Sequence, residues 1–120
     1  MQKMIVKKPW GTYEVLLDEP NYKVKRIVVH PYERFSLQYH KHREEHWVVV
    51  EGDGIVQVNE KEYPAYVRTH WVILPTQKHR ATAGPNGLVF IETQTGDCRE
   101  EDIIRLEDDY GRLDSSEVSV

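Results

Sequence analysis

Three histidines and two glutamates fall within seven consecutive positions, His40 to His46, in the stretch Gln38-Tyr39-His40-Lys41-His42-Arg43-Glu44-Glu45-His46-Trp47. Imidazole nitrogens and carboxylate oxygens are the donors that hold divalent first-row metals. On an extended strand, Ser36, Gln38, His40 and His42 project to one face and Phe35, Leu37, Tyr39 and Lys41 to the other. Two imidazoles placed as His40 and His42 are can reach one ion at about 2 Å. In the next run Glu45, Trp47, Val49 and Glu51 share a face, and His46, Val48 and Val50 share the opposite one. Only one of Glu45 and His46 can therefore point at the ion, and a kink would change which. A further ligand has to come from elsewhere. His79, following the Pro75 turn at the start of a strand, is the best placed; His30 abuts Pro31 at a strand end, and His70 opens a strand. Such a set suits zinc, manganese, iron, cobalt or nickel and does not choose among them. The bland reading is a charged surface loop. The acid close behind His-x-His, the strand-to-glycine turn and the later Pro-turn-His favour the metal.

The elements that would position these groups are strands. Short runs rich in Val, Ile, Thr and aromatics alternate with turn residues at period two. Strands are predicted over Thr12–Leu17, Tyr22–His30, Phe35–His40, His46–Val50 and Ile55–Asn59. The fourth and fifth would form a hairpin about Glu51-Gly52-Asp53-Gly54. His70–Leu74, His79–Ala83 and Leu88–Thr95 follow, with a strong turn at Gly84-Pro85-Asn86-Gly87. Asp102–Glu107 reads equally as an edge strand or a helical turn. No long amphipathic helix is evident, so the pattern points to a β-sandwich or small barrel. Trp10, Trp47 and Trp71 read as core residues.

The chain has 120 residues, 39% of them hydrophobic, and a formal net charge of -4. That suits one domain, expected over residues 1–112, with a flexible tail over 113–120. No basic stripe suggests nucleic acid, and no apolar run suggests a membrane. Cys98 is the single cysteine, which excludes an internal disulfide and a cysteine-rich zinc site. The N-terminus lacks a secretory h-region. A cytoplasmic location is the expectation.

His40, His42, Glu45 and Gly52 reproduce the spacing of the first cupin motif, and Pro75, His79 and Asn86 correspond loosely to the second. The sequence resembles, more narrowly, the cupin domain of type II mannose-6-phosphate isomerases, often fused to a mannose-1-phosphate guanylyltransferase. The matching segments, in order, are KPWGTYEVL (Lys8–Leu16), YKVKRIVV (Tyr22–Val29), SLQYHKHREEHWVVVEG (Ser36–Gly52), IETQTG (Ile91–Gly96) and EDIIRLEDDYGR (Glu101–Arg112). Two turns depart from the family: Tyr32 stands where a Pro-Gly turn is usual, and Gln77 stands near the usual Gly of the Pro-x-Gly turn.

The resemblance implies an all-β cupin fold, a double-stranded β-helix or jelly-roll barrel with little helix. It implies one divalent ion, zinc first and then manganese, cobalt, nickel or iron, on His40, His42, Glu45 and His79. It implies interconversion of mannose 6-phosphate and fructose 6-phosphate through an enediol, which needs a base, an electrophile and cations for the phosphate. Glu92 is the expected base. Gln38 and Gln94 would orient the sugar, and Lys25, Arg43, Arg80 and Arg112 are the candidates for phosphate. A homodimer acting on a small sugar phosphate is expected. A second reading is a non-catalytic cupin that binds a sugar or sugar nucleotide beside a separate guanylyltransferase. A third, a metal-dependent dioxygenase, has the least support outside the metal motif.

Overall fold

Alternation dictates the architecture strand by strand. In the run from Arg43 to Val49, residues 43, 45, 47 and 49 are buried, while His46, Val48 and Val50 face outward. A strand with one apolar face must bury it against a second layer, and the chain does so with itself. The computed structural model describes residues 4–112; the tail expected over 113–120 lies outside the described residues. The described residues are all-β, with nine strands and no helix: β1 (Met4–Lys8), β2 (Gly11–Glu19), β3 (Tyr22–Val29), β4 (Leu37–Tyr39), β5 (Arg43–Val58), β6 (Lys61–Tyr66), β7 (His70–Ile73), β8 (His79–Gly96) and β9 (Ile104–Glu107). No helix among them is long and apolar enough to cross a membrane.

Two long strands hold the molecule together. β5 and β8 are antiparallel from Arg43↔Gly96 to Val58↔His79, with register shifts at Val49/Glu51 and Gly52/Gly54. The first half of β5 pairs with β7, and the second half of β8 pairs with β3, which continues to β2 and β1. The second half of β5 pairs with β6, while the first residue of β8 meets β4, which is flanked by β9. The same two strands thus run through both layers of a curled sheet. The expected hairpin about Gly52-Asp53-Gly54 is a correction: β5 passes straight through it, and the hairpin lies at Asn59-Glu60, between Val58 and Lys61. The glycines serve the bend. Gly52 has φ +77, and a Cβ there would meet the Gly87 carbonyl oxygen at 2.1 Å; one on Gly54 would meet that of Thr82 at 2.0 Å. Side chains at these places would push the paired strands apart.

Between the layers lies an aromatic core. Phe35 sits 5.3 Å from Trp10, 5.8 Å from Trp47 and 6.4 Å from Phe90, and Trp47 and Phe90 are 4.5 Å apart, centroid to centroid. Trp47 and Phe90 are 1% exposed, so each contributes roughly 4–6 kcal/mol of apolar burial as an upper bound. Trp10 and Trp47 are core residues as expected, and Trp71 is half-buried against Tyr63. The last expected segment resolves as strand β9, at the sheet edge beside β4.

Candidate functional site

The metal-capable residues are sorted by where the backbone bends. β4 ends at Tyr39, and the segment that follows does not continue its alternation. The Asp102 carboxylate accepts from the backbone N–H groups of Lys41 and His42, at 3.0 and 2.9 Å. His40 is left 2% exposed, pointing in, and His42 is exposed. This corrects the expectation that His40 and His42 serve one ion. His46, on the outer face of β5, bonds the Glu44 carboxylate at 2.6 Å. Glu45 faces in and is 1% exposed, and His79, opening β8, is 1% exposed. His40, Glu45 and His79 together offer three ligand atoms within 4.8 Å of one another.

The protons on these rings are set by their outer partners. The His40 Nδ1–H donates to the Asp102 carbonyl at 2.5 Å, and the His79 Nδ1–H to the Gln77 carbonyl at 2.9 Å. Both Nε2 atoms therefore present lone pairs inward, as metal-binding imidazoles do. Burial, and then the Arg43 charge, push His40 down to about 3, so its ring is neutral. His79 Nε2 faces Glu45 Oε1 at 3.6 Å and has no hydrogen-bond partner among the described residues. Two lone-pair groups facing each other in a buried site cost about 1–3 kcal/mol unless a proton or cation joins them. By donor type, orientation and this unpartnered atom, the residues fit one divalent ion held by two imidazoles and a carboxylate. Arg43 shares the space: its Nη2–H donates to His40 Nε2 at 3.0 Å and its Nε–H to Glu45 Oε2 at 2.9 Å.

Beyond this cluster lies a small open pocket with a cavity volume of about 70 Å³. Trp10, Phe35 and Phe90 form its apolar wall, and Lys25, Gln38, Arg43 and Glu92 stand along it. The face of Glu92, undecided by alternation, points inward. The Trp47 indole N–H lies 3.0 Å from Glu45 Oε1 and 3.1 Å from Glu92 Oε2, and Gln94 Nε2 donates to Glu92 Oε1 at 2.7 Å. Burial raises the Glu45 carboxyl, but the Arg43 guanidinium on one oxygen and the Trp47 indole N–H on the other counter it, and Glu45 lies below the usual range. Burial and the charge of Glu45 push Glu92 up to about 7. One inward carboxylate is thus ionised and its neighbour protonated over most of the acid range.

Other expected ligand residues take different places. Lys25 is 4% exposed and bonds Glu100 at 2.8 Å while lying 4.1 Å above the Tyr13 ring. Gln38 lines the pocket, its Oε1 accepting from Ser36 at 2.7 Å. Arg112 lines it too, with Nε and Nη2 on Asp108. Two placements are corrections. Gln94 is fully buried behind Glu92 and does not line the pocket. Arg80 is turned into the wall, its Nε–H on the Phe35 carbonyl at 2.9 Å and its Nη1 on Glu107 at 3.1 Å, tying β8 to β9. Lys8, Arg105, Asp102 and Glu100 stand at the site without any signal in the sequence that marks them. They lie in or beside the N- and C-terminal segments quoted for the resemblance, where no alternation signals an inward face.

Residues 1–108 match the family described as mannose-6-phosphate isomerase C-terminal. The chain belongs to that family. This family member is 38% identical over 108 residues to a mannose-1-phosphate guanylyltransferase of Klebsiella pneumoniae, an alignment covering 88% of the chain and 23% of that relative. It is 41% identical over 109 residues to the alginate biosynthesis protein AlgA of Pseudomonas aeruginosa, covering 89% and 23%. The chain therefore spans under a quarter of the length of these relatives. Among solved structures it resembles an RmlC-like cupin from Shewanella frigidimarina, with TM-score 0.74, 22% identity and 82% and 87% of the two chains covered. It also resembles Pac13, described as a nucleoside dehydratase, with TM-score 0.73, 18% identity and 88% and 86% covered. These likenesses establish the fold as the cupin double-stranded β-helix.

The relatives overturn the isomerase expectation. Proteins 37–41% identical to this family member are named as guanylyltransferases or as alginate and xanthan biosynthesis proteins, which describes nucleotidyl transfer and polymer synthesis in place of aldose–ketose isomerisation. The expected role of Glu92 as isomerase base falls with it, and both Glu92 oxygens are engaged by Gln94 and Trp47.

Proposed function

We propose that the chain is a non-catalytic cupin module that binds a sugar phosphate or sugar nucleotide and acts with a guanylyltransferase. The observation that carries the reading is the pocket, in which an aromatic wall and several cations meet beside the His40–Glu45–His79 cluster. Small-molecule sites combine apolar lining with a few convergent polar groups, and basic side chains suit phosphate oxygens. The relatives supply the ligand class: mannose 1-phosphate and its guanylylated product, GDP-mannose.

In this reading His40, Glu45 and His79 hold one divalent ion, zinc first and manganese, cobalt, nickel or iron next. When bound, that ion supplies a Lewis-acidic contact for a ligand oxygen. The protein's own groups do the rest. Trp10, Phe35 and Phe90 exclude water from the sugar face, Gln38 offers its amide to hydroxyls, and Arg43 and Lys25 meet ligand oxygens. Protonated Glu92 donates to a ligand oxygen if Trp47 releases it.

Titration calorimetry with GDP-mannose and mannose 1-phosphate tests the proposal. Saturable binding with Kd below about 1 mM, a free energy beyond about 4 kcal/mol, is expected for at least one. Heats no larger than buffer dilution for both ligands, with and without zinc, would sink it.

A further inference from the structure

We propose that Lys8, Arg105 and Arg112 form a phosphate subsite at the mouth of the pocket, separate from the His40–Glu45–His79 cluster. The inference rests on the ligand-binding reading and deepens it by fixing which end of the ligand faces out. The three cations come from three parts of the chain: the last residue of β1, the middle of β9, and the segment after Tyr110. All three line the same pocket. They are more accessible than Arg43, Glu92 and the His40–Glu45–His79 cluster, which are at most 7% exposed, so they mark the outer end.

Charge bookkeeping identifies what belongs between them. No carboxylate lies within ion-pair distance of Lys8 among the described residues. The acid that acts on it most, Glu100, is already engaged by Lys25 at 2.8 Å and Lys23 at 3.2 Å. The other groups facing Lys8 are Arg112, Arg105 and Lys25, all cationic, and the Tyr13 ring at 6.0 Å. Arg112 spends Nε and Nη2 on Asp108 and keeps Nη1 for a further acceptor. A Lys8 ammonium flanked by like charges, with no carboxylate of its own, at the edge of a part-buried pocket is held at a cost that a multiply charged anion removes. A carboxylate brings one negative charge and two oxygens. A phosphate monoester or diphosphate brings about two charges and three or more acceptor oxygens, matching several separate donors. The strain is visible on Lys8: burial first, then Arg112 and Arg105, push its ammonium down to about 8.

The sign of the proton linkage follows. With a pKa of about 8, free Lys8 is roughly half neutral at pH 8. A phosphate beside it raises that pKa, so binding takes up about half a proton at pH 8 and almost none at pH 6.5. The experiment is calorimetry on the full chain with mannose 1-phosphate, mannose and inorganic pyrophosphate, at pH 6.5 and 8, in buffers of different ionisation enthalpy. Lys8→Met, Arg112→Gln and Lys7→Met, the last changing the exposed neighbour in β1, are compared with the parent. Expected are a loss of about 10- to 100-fold in mannose 1-phosphate affinity for Lys8→Met and Arg112→Gln, none for Lys7→Met, and proton uptake that disappears in Lys8→Met. Thermal unfolding verifies that each variant folds. Should Lys8→Met misfold, Lys8→Gln takes its place. Affinity within twofold of the parent and unchanged proton uptake in a folded Lys8 variant would overturn the subsite while leaving ligand binding standing. Lys8-dependent pyrophosphate binding without any sugar phosphate or sugar nucleotide binding would keep the subsite and end the sugar-ligand reading. No binding of any phosphate would end both.

Discussion

His79 Nε2 is the atom on which the metal reading turns. A buried lone pair 3.6 Å from a carboxylate oxygen, with no donor of its own, is an arrangement that a cation relieves and an apolar core does not. Removing either inward imidazole leaves two donors, too few for a tight site. His40→Ala and His79→Ala are therefore expected to lose at least about tenfold in zinc affinity, read by competition with a chromophoric chelator, while His42→Ala stays within twofold of the parent. A folded His79→Ala with full affinity would remove the cluster as a metal site. The sequence offers His40, Glu45 and His79 as ligands, and the fold buries all three. It offers His42 as well, because strand alternation does not show where β4 ends. The two hydrogen bonds that residues 41 and 42 donate to the Asp102 carboxylate, turning them outward, reach some 60 positions along the chain and leave no local mark.

At the scale of elements, the faces of β5 were legible because burying Trp47 and Val49 forces Glu45 inward with them. The continuity of β5 and β8 was not legible, since Gly-Asp-Gly and Gly-Pro-Asn-Gly are turn signals in any local window. Whether they reverse the chain or bend it depends on the partner strand. The departures from family spacing can now be placed. Tyr32 adopts positive φ, 64°, at the expected place, whereas in the second turn the positive φ, 72°, falls on Thr76, one residue before Gln77. A β-branched residue pays most for that conformation, and the exposed Thr76 side chain packs on little that would offset it. Its backbone N–H donates to the His40 carbonyl at 2.7 Å, a bond glycine keeps. Thr76→Gly is expected to stabilise the chain by about 1 kcal/mol, the relief of strain exceeding the added unfolded-state entropy. Urea unfolding measures it, and a lower midpoint would show the turn unstrained.

For the whole molecule, stability reports the buried charges in the metal-free chain. His40 falls from 6.5 to about 3, so the unfolded chain binds the extra proton between those values and stability rises with pH there. Glu92 rises from 4.5 to about 7, so the folded chain holds the extra proton and stability falls with pH between those values. The two oppose each other from about 4.5 to 6.5. Below that window His40 acts with the depressed Glu45; above it Glu92 lowers stability up to about pH 7, beyond which Lys8, lowered to about 8, begins to oppose it. Thermal unfolding across pH 3 to 8 in chelator should show a Tm plateau over the window and a fall on each side. A Tm that keeps rising through pH 7 would contradict the inward, protonated Glu92. The sequence by itself determined the all-β class, the inward face of β5 and three metal-capable groups, because alternation and motif spacing act over a few residues. Only the tertiary structure decided that His42 turns away, that Arg80 braces the wall, and that Lys8, Arg105 and Arg112 meet at one pocket. Those outcomes depend on contacts between segments up to about a hundred positions apart, where side-chain direction is set by the partner strand and leaves no periodic signal in the chain itself.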